Sequence, residues 1–219
     1  MTLKEAQTRK ARQEEAHRKL CSGKLPDATA GNRWKLLERA ISKIGADTPV
    51  VLLEFGVAKG ASMAFFASRF VNKQSVFFGF DSFEGLPEDW TPGPSIVKGT
   101  FATGGAAPTI DDCRIRFIKG WFQNTVHQFL RGTSFSHPVL VHFDSDLYSS
   151  TLFLLATLWS FLPEYFFIMD DFAFDESFAL YDFSRAFPVQ IEWLAARLNQ
   201  NRIPVQMFGR MKRVEFRVE

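Results

Sequence analysis

Short, continuous runs of apolar residues alternate along the chain with segments of helical periodicity. Each run is five or six residues long and is followed by a glycine or an aspartate. Continuous apolar strands separated by helices are typical of a parallel sheet that is buried on both faces. The predicted strands are Val50–Phe55, Ser75–Phe80, Ile115–Lys119, Pro138–Phe143 and Tyr165–Met169.

The segments around these strands predict helices that pack on the sheet. Two later apolar segments, Val205–Phe208 and Val214–Val218, are joined around Gly209-Arg210 and predict a terminal antiparallel hairpin. We therefore expect an α/β fold with a doubly wound, mostly parallel, seven-stranded Rossmann-like sheet and an antiparallel C-terminal hairpin. The predicted helices are Trp34–Ile41, Gly60–Phe70, Thr151–Leu162 and Ser177–Leu198.

The first 25 residues differ from the rest of the chain. They are rich in charged residues and contain no Gly or Pro before Gly23, which predicts a solvated helix or arm. An exposed helix without a role is favoured over a contact between subunits. Residues 26–219 suffice for one well-buried α/β domain and are too few for two ordinary domains. Within them, Glu84–Asp112 is a long irregular stretch, and such loops are usually functional covers or mobile segments.

Composition and charge exclude several classes of protein. The net charge of +2 argues against a protein built to hold nucleic acid by phosphate contacts. Two distant cysteines, Cys21 and Cys113, form neither a metal motif nor a disulfide framework. Two free thiols are typical of a protein in a reducing cytoplasm. The charged N-terminus is not a signal peptide, and no stretch reaches the roughly 20 apolar residues that cross a bilayer. We therefore expect a cytoplasmic protein without nucleic-acid or membrane partners.

The chain holds 25 Phe and only 3 Tyr. Most of the Phe lie inside apolar runs and are expected in the core. A group of Phe after the fifth predicted strand has three interpretations: core, the wall of an acceptor pocket, or the face of a homodimer. The core is favoured for this group, which comprises Phe172, Phe174, Phe178, Phe183 and Phe187.

Acidic residues fall at the ends of the predicted strands. The carboxyl ends of parallel strands meet at one edge of a sheet, where ligands bind. Like charges at this spacing raise one another's pKa unless a cation or a cationic ligand lies among them. The acids are Glu54, Asp81, Asp144, Asp146, Asp170 and Asp171.

Four of these acids, Asp144 and Asp146 with Asp170 and Asp171, come from two neighbouring strands. Hard oxygen ligands of this kind suit magnesium, calcium or manganese, and no His/Cys cluster suggests zinc. Helix caps and solvated strand ends are the alternatives, and they are disfavoured for four converging acids. His142 either orients a carboxylate or is a core histidine, with the core interpretation favoured.

The first predicted strand leads into a glycine-containing turn, Glu54–Ser62. Gly56 permits a tight turn, Gly60 permits close backbone approach, and the amides at the following helix start favour an anion. The spacing differs from the G-x-G-x-x-G dinucleotide motif, and the acid ahead of it can receive an ammonium group. The turn alone leaves NAD, nucleotide and S-adenosylmethionine binding open, as well as a plain structural turn.

Asp81 ends the second predicted strand, followed by Ser82. From this position a carboxylate reaches a ribose diol. Capping of the turn that begins at Asp81 is an equally supported alternative.

Six segments between Val50 and Phe172 together resemble the macrocin O-methyltransferase family, the metal-dependent O-methyltransferases of antibiotic sugars and related substrates. The segments FDSFEGLP and DSDLYSST carry most of the specificity. The matching segments, in the family's order, are EFGVAKGAS (Glu54–Ser62), GFDSFEGLP (Gly79–Pro87), KGTF (Lys98–Phe101), KGWFQNT (Lys119–Thr125), HFDSDLYSST (His142–Thr151) and MDDF (Met169–Phe172).

The resemblance implies an S-adenosylmethionine-dependent, magnesium-dependent O-methyltransferase that acts on a small-molecule or glycoside hydroxyl. It implies that Asp146 is the general base. It also implies roles for binding residues. The methionine portion of the donor would be held by Glu54, Gly56, Gly60 and Ser62, its ribose by Asp81 with Ser82, and its adenine by Gly120 and Trp121. Asp144 would contact both the donor and the metal, and Asp170 and Asp171 would bind the metal.

The chain departs from the family in two places. It is short, with a charged helix where longer members carry N-terminal elements that cover the substrate. The segment Phe172–Asp175 is apolar where the family pattern leads us to expect Tyr and Gly. The acceptor therefore cannot be carried over from the resemblance.

Three other functions are weighed against this one. An NAD-dependent oxidoreductase would use the same kind of sheet, but the early glycine of the dinucleotide motif is missing. A non-catalytic S-adenosylmethionine- or nucleotide-binding module would have no physical need for the metal acids. A magnesium-dependent catechol-type O-methyltransferase differs only in its acceptor, which would be a phenol.

Overall fold

The sheet that organises the molecule has eight strands in the order β1-β7-β8-β6-β5-β2-β3-β4. The computed structural model describes residues 3–23, 25, 27–90 and 96–214. Strand β8 is antiparallel to both of its neighbours, and the other pairings are parallel. The strands are β1 (Ala28–Ala30), β2 (Val51–Phe55), β3 (Val76–Asp81), β4 (Ile115–Lys119), β5 (Val139–Phe143), β6 (Glu164–Met169), β7 (Val189–Leu198) and β8 (Pro204–Arg213).

Helices cover both faces of the sheet because its central strands are apolar on both sides. Leu52 of β2 packs with α2 and α3, whereas Leu53 packs on the opposite face with α4, α5 and α6. All five residues of β2, and all five of β5, are buried. The helices are α1 (Leu3–Leu20), α2 (Trp34–Ile44), α3 (Ala61–Arg69), α4 (Phe122–Gly132), α5 (Tyr148–Phe161) and α6 (Asp175–Ala186).

The register of the central strands aligns the predicted acids. Strand β2 lies between β3 and β5, with Glu54 opposite His142 on β5. Strand β6 pairs with β5, so that Met169 lies opposite Phe143. The residues that follow each strand therefore meet at one edge of the sheet, as the sequence predicts.

The predicted fold class is confirmed, with corrections at the C-terminus. Segment Ser177–Leu198 is not one helix, because α6 ends before Pro188 and β7 follows. Proline restricts the residue before it and provides no backbone N–H, which favours this break.

The C-terminal hairpin exists, but its strands are β7 and β8. Gly209 and Arg210 lie within β8, paired with residues of β6 and β7, and not in a turn. Of the predicted strand Val214–Val218, residues 215–218 lie outside the described residues. Among the described residues, the sheet has eight strands and not the seven predicted. The additional strand is β1, whose three residues are too few to form a recognisable pattern. Helix α4 was also not predicted.

Helix α1 lies against α6 and does not extend as a free arm. Arg9 donates to the Asp175 carboxylate of α6 at 3.1 Å, and Ala16 is fully buried. The His17 ring nitrogen Nε2 lies 2.9 Å from the Pro204 carbonyl, and Trp193 donates to the Leu20 carbonyl at 3.2 Å. A domain boundary near residue 25 stays a prediction. In the described part of the chain, no helix is long and apolar enough to cross a membrane.

Candidate functional site

A cavity of about 530 Å³ opens at the carboxyl ends of β2, β3, β5 and β6. This volume falls within the range of small-molecule sites. Nine predicted site residues line the cavity: Gly56, Asp81, Ser82, Gly120, Trp121, Asp144, Asp146, Asp170 and Asp171. Three others, Glu54, Gly60 and Ser62, do not line it.

Glycine is required at position 56 by the close contact between β2 and β5. Gly56 has a φ of +93°, and a Cβ there would lie 1.8 Å from the Asp144 carbonyl oxygen. The Asp144 amide donates to the Phe55 carbonyl at 2.9 Å, which ties the two strand ends together. A side chain at position 56 would therefore disrupt the floor of the cavity.

The Asp81 carboxylate organises the turn after β2. Its Oδ2 accepts hydrogen bonds from the Val57 and Ala58 amides at 2.8 Å each, and its Oδ1 accepts one from Phe83 at 2.7 Å. The amides of the turn residues Val57 and Ala58 thus bind a carboxylate of the protein. Asp81 acts as a cap in this structure while still lining the cavity; its contact with a ribose stays a prediction.

Three carboxylates form a compact acid cluster, which we define as Asp144, Asp170 and Asp171. One ligand atom from each lies within 4.8 Å of the others, a spacing that a cation can bridge. Burial, and then the charge of Asp170, raise the pKa of Asp144 to about 7. Burial also raises the pKa of Asp171, to which the charge of Asp170 adds.

Asp146 lies beside this cluster in a left-handed backbone conformation with a φ of +59°. Burial raises its pKa to about 9, with further contributions from the charges of Asp144 and Asp171. An acid in such surroundings holds a proton more strongly than an ordinary aspartate does.

Arg33 supplies a positive charge to the acid cluster, and sequence reasoning did not identify it. Its Nη2 lies 2.9 Å from Asp144 Oδ2 and 3.1 Å from Asp170 Oδ2. Arg33 precedes α2 and is far in sequence from the strand ends. The sequence indicates the presence of such a residue only indirectly, because converging acids predict that some cation lies among them.

A buried chain of charged groups runs beneath the cavity from Glu54 through His142 to Asp170. His142 Nδ1 lies 2.9 Å from Glu54 Oε1, and its Nε2 lies 3.6 Å from Asp170 Oδ1. Burial alone would lower the His142 pKa, but the neighbouring carboxylates of Asp170 and Glu54 raise it to about 10. His142 is therefore both a core residue and a partner of two carboxylates.

The three predicted donor residues outside the cavity have other neighbours. Glu54 is fully buried, and its Oε2 has no hydrogen-bond partner among the described residues. Gly60 faces the side chains of Pro108 and Ile110. Ser62 is buried in the first turn of α3. The structure thus groups Glu54 with His142 and separates Gly60 and Ser62 from the cavity.

Apolar side chains from the long loop form the opposite wall of the cavity. Phe174 joins them, 39% exposed, with its ring 5.8 Å from that of Trp90 in an edge-to-face arrangement. Phe172, Phe178 and Phe183 are buried, as expected for core residues. The wall comprises Leu86, Pro87, Trp90, Ile96, Phe101 and Phe174.

The described part of this loop folds back on itself. The Leu86 amide donates to the Thr100 carbonyl at 3.0 Å, and the Gly99 amide donates to the Leu86 carbonyl at 2.9 Å. Trp90 and Ile96 form a single antiparallel bridge. Residues 91–95 of the predicted cover lie outside the described residues.

Glu176 is a second site residue that the sequence pattern did not reveal. It is fully buried in α6, and its two oxygens accept hydrogen bonds from the Ser145 amide at 3.3 Å and the Asp171 amide at 3.1 Å. Burial, and then the charges of Asp171 and Asp170, raise its pKa well above the usual range. Glu176 therefore ties together the two loops that carry the acids.

The family model described as a methyltransferase domain matches residues 53–172, which is more than half of the chain. The chain belongs to this family. The matched region of the methyltransferase extends from β2 to the end of the acid cluster, so it contains the glycine turn and the cavity floor. The expectation of a methyltransferase is confirmed.

Solved structures similar to this methyltransferase share its fold. The calicheamicin methyltransferase CalS11 is 22% identical with a TM-score of 0.60, over 80% of this chain and 77% of that chain. The O-methyltransferase NovP is 19% identical with a TM-score of 0.58, over 84% and 79%. A cmcI structure with Mg and SAM is 16% identical with a TM-score of 0.51, over 84% and 72%. No curated protein matches the sequence.

Replacement of Glu176 by alanine is expected to destabilise the methyltransferase by about 3 kcal/mol, because two buried amides lose their acceptor. Denaturant unfolding measures this change in the free energy of unfolding. The control is Glu38→Ala, which removes an exposed glutamate of α2 that pairs with Lys35 at 3.6 Å. The control is expected to stay within about 0.5 kcal/mol of the wild type. Equal stability of the two variants would show that Glu176 does not hold the acid loops.

Proposed function

We propose that the protein transfers a methyl group from S-adenosylmethionine to a hydroxyl of a small-molecule or sugar-containing acceptor. The observation that carries this proposal is the position of Asp146. Its carboxyl lines a ligand-sized cavity next to three clustered carboxylates at the strand ends. Methyl transfer to a hydroxyl releases the hydroxyl proton, and a carboxylate beside the acceptor would take up this proton.

The donor fits the side of the cavity formed by the turn after β2 and by the end of β4. Gly56 leaves space where any side chain would strike the backbone of Asp144. Gly120 and Trp121 line the same cavity, and the Trp121 ring offers a stacking surface for a base. These features support donor roles for Gly56, Asp81, Ser82, Gly120 and Trp121.

Glu54 supports the donor assignment in a different way. Its Oε2 is buried without a hydrogen-bond partner among the described residues, which is costly for a carboxylate oxygen. An ammonium group of a ligand would satisfy it. Roles for Gly60 and Ser62 have less support, because these residues do not line the cavity.

A divalent cation fits the acid cluster by the chemistry of its donors. Three carboxylates with ligand atoms within 4.8 Å suit the oxygen-preferring magnesium ion. When bound, such a cation supplies a Lewis acid that lowers the pKa of a nearby hydroxyl. Asp144, Asp170 and Asp171 would hold it, and the similar cmcI structure, which is described with Mg and SAM, supports this assignment.

Asp146 is the proposed general base. Its pKa of about 9 makes its carboxylate a stronger base than that of an ordinary aspartate. The same shift favours the protonated form near neutral pH, so positive charge at the acid cluster is needed to keep Asp146 ionised.

The acceptor would lie between Asp146 and the apolar wall. Trp90, Phe174 and Leu86 line this side, and the two aromatic rings would provide apolar surface for a ring of the acceptor. A macrocin-type sugar and a catechol-type phenol both present a hydroxyl on a ring. The resemblance to macrocin O-methyltransferases favours the sugar-containing acceptor.

Calorimetric titration with S-adenosylhomocysteine in magnesium buffer tests the donor assignment. We expect micromolar binding by the wild type. Trp121→Ala is expected to weaken it by about 1–3 kcal/mol, the usual contribution of stacking between a base and an aromatic ring. Trp159→Ala is the matched control, because Trp159 lies near the C-terminal end of α5 and packs on Phe187. It should bind like the wild type.

The same titration with NAD separates the alternatives. Heat from NAD and none from S-adenosylhomocysteine would overturn the proposal in favour of an oxidoreductase. Binding of S-adenosylhomocysteine followed by no methyl transfer across sugar and phenol acceptors would support a non-catalytic module.

A further inference from the structure

We infer that Arg33 and a divalent cation bind the acid cluster in turn, so that the side chain of Arg33 must leave before the cation enters. This inference rests on the metal site of the proposed function and concerns what regulates it. Arg33 then acts as a built-in counter-ion that keeps the acids paired when no cation is bound.

The two occupants would use the same oxygens. Arg33 Nη2 contacts Oδ2 of both Asp144 and Asp170, at 2.9 and 3.1 Å. The other oxygen of Asp170, Oδ1, accepts a hydrogen bond from Gln206 and faces His142 Nε2. Asp170 thus offers only its Oδ2 toward the cavity, and that oxygen is the one that Arg33 occupies.

A cation and the guanidinium cannot share this position. Magnesium binds oxygen ligands at about 2.0–2.1 Å, closer than the hydrogen-bonded nitrogen. Two positive groups on the same pair of oxygens would repel each other strongly in partly buried surroundings. Binding of the cation therefore requires Arg33 to move.

Arg33 is free to move without damage to the core. Its side chain is 37% exposed, and it precedes α2 at the edge of the cavity. Its Nε has no hydrogen-bond partner among the described residues, so the hydrogen bonds that departure breaks are those of Nη2. The guanidinium carbon already lies over the Trp34 ring, 5.4 Å from its centroid, and this contact can hold the group nearby after it leaves the acids.

The remaining positive groups near the acids are not equivalent to Arg33. His142 is fully buried between Glu54 and Asp170. Arg197 donates to Gln206 at 2.5 Å and reaches Asp170 only through that amide. Among the described residues, Arg33 is the cation that contacts two members of the acid cluster from the cavity side.

Titration of the metal-free protein with Mn²⁺ alone, followed by electron paramagnetic resonance of the free ion, tests this inference. Arg33→Gln is expected to bind Mn²⁺ about tenfold more tightly than the wild type, or more, because the competing charge is gone. The Mn²⁺ affinity of Arg33→Lys should lie between those of the wild type and Arg33→Gln. The control Arg39→Gln removes a charge from the same helix, where Arg39 pairs with Asp27, and should bind like the wild type.

Thermal unfolding provides an independent measurement. In the presence of a chelator, Arg33→Gln should have a lower melting temperature than the wild type because the acids lose their counter-ion. Addition of Mn²⁺ should restore the melting temperature. Equal or weaker Mn²⁺ binding by Arg33→Gln, or no Mn²⁺ binding by either protein, would overturn the inference. Because this test uses neither donor nor acceptor, its result is separate from the S-adenosylhomocysteine titration.

Discussion

Gly56→Ala is expected to abolish measurable binding of S-adenosylhomocysteine and to lower the melting temperature. The added Cβ would lie 1.8 Å from the Asp144 carbonyl oxygen, which is part of the backbone and cannot rotate away. The left-handed conformation at this residue adds about 1–3 kcal/mol of strain. Displacement of a cavity floor by about 1 Å costs roughly a hundredfold in function. Calorimetry and thermal unfolding measure the two effects.

Gly132→Ala is the matched control for this substitution. Gly132 ends α4, and a Cβ there would meet no atom within 4 Å. The control should retain both stability and binding. If a folded Gly56→Ala protein bound the ligand like the wild type, the assignment of the donor to this turn would be wrong.

Asp146→Asn is expected to lower kcat by about 10²–10⁴-fold, the usual contribution of a general base, while leaving donor binding unchanged. Asparagine has the same shape and tolerates the left-handed conformation that Asp146 adopts. The substitution therefore removes the proton acceptor with little backbone strain. Formation of S-adenosylhomocysteine with a responsive acceptor measures kcat, and calorimetry measures the affinity for the donor product.

The control for this loss is Asp47→Asn. Asp47 is exposed and precedes β2, at the opposite edge of the sheet from the cavity. Its replacement should change neither kcat nor affinity. Wild-type kcat in Asp146→Asn would exclude Asp146 as the base, whereas loss of donor binding would assign it to the donor site.

The edge of the sheet that forms the cavity could be predicted because each of its strands is recognisable from its own short stretch of sequence. Strands β2, β3, β5 and β6 are continuous apolar runs, and the residue types that follow them mark where they end. The rule that parallel strands present their carboxyl ends together then brings Asp81, Asp144 and Asp170 to one place.

Arg33 and Glu176 could not be predicted because their roles depend on packing between distant segments. Arg33 reaches an acid more than 100 residues away in sequence, and Glu176 lies in the first turn of α6, where acidic residues are common in helices. Neither residue lies at a strand end, so no local pattern distinguishes it from a solvated surface charge.

The error at β7 has a related cause. The segment Trp193–Leu198 consists largely of residues with good helix propensity, including Ala195, Ala196 and Leu198. Pairing with both β1 and β8 overrides this local preference, because strand stability comes from neighbours in the sheet.

The placement of β8 determines the order in which the molecule can be completed during synthesis. This strand comes last along the described chain, yet it lies between β6 and β7 and supplies Gln206, the partner of Asp170. Until it emerges from the ribosome, β6 and β7 present unpaired edges that can pair with other chains. The nascent chain therefore remains prone to aggregation, and Asp170 lacks its partner Gln206, until almost the whole described sequence has been translated.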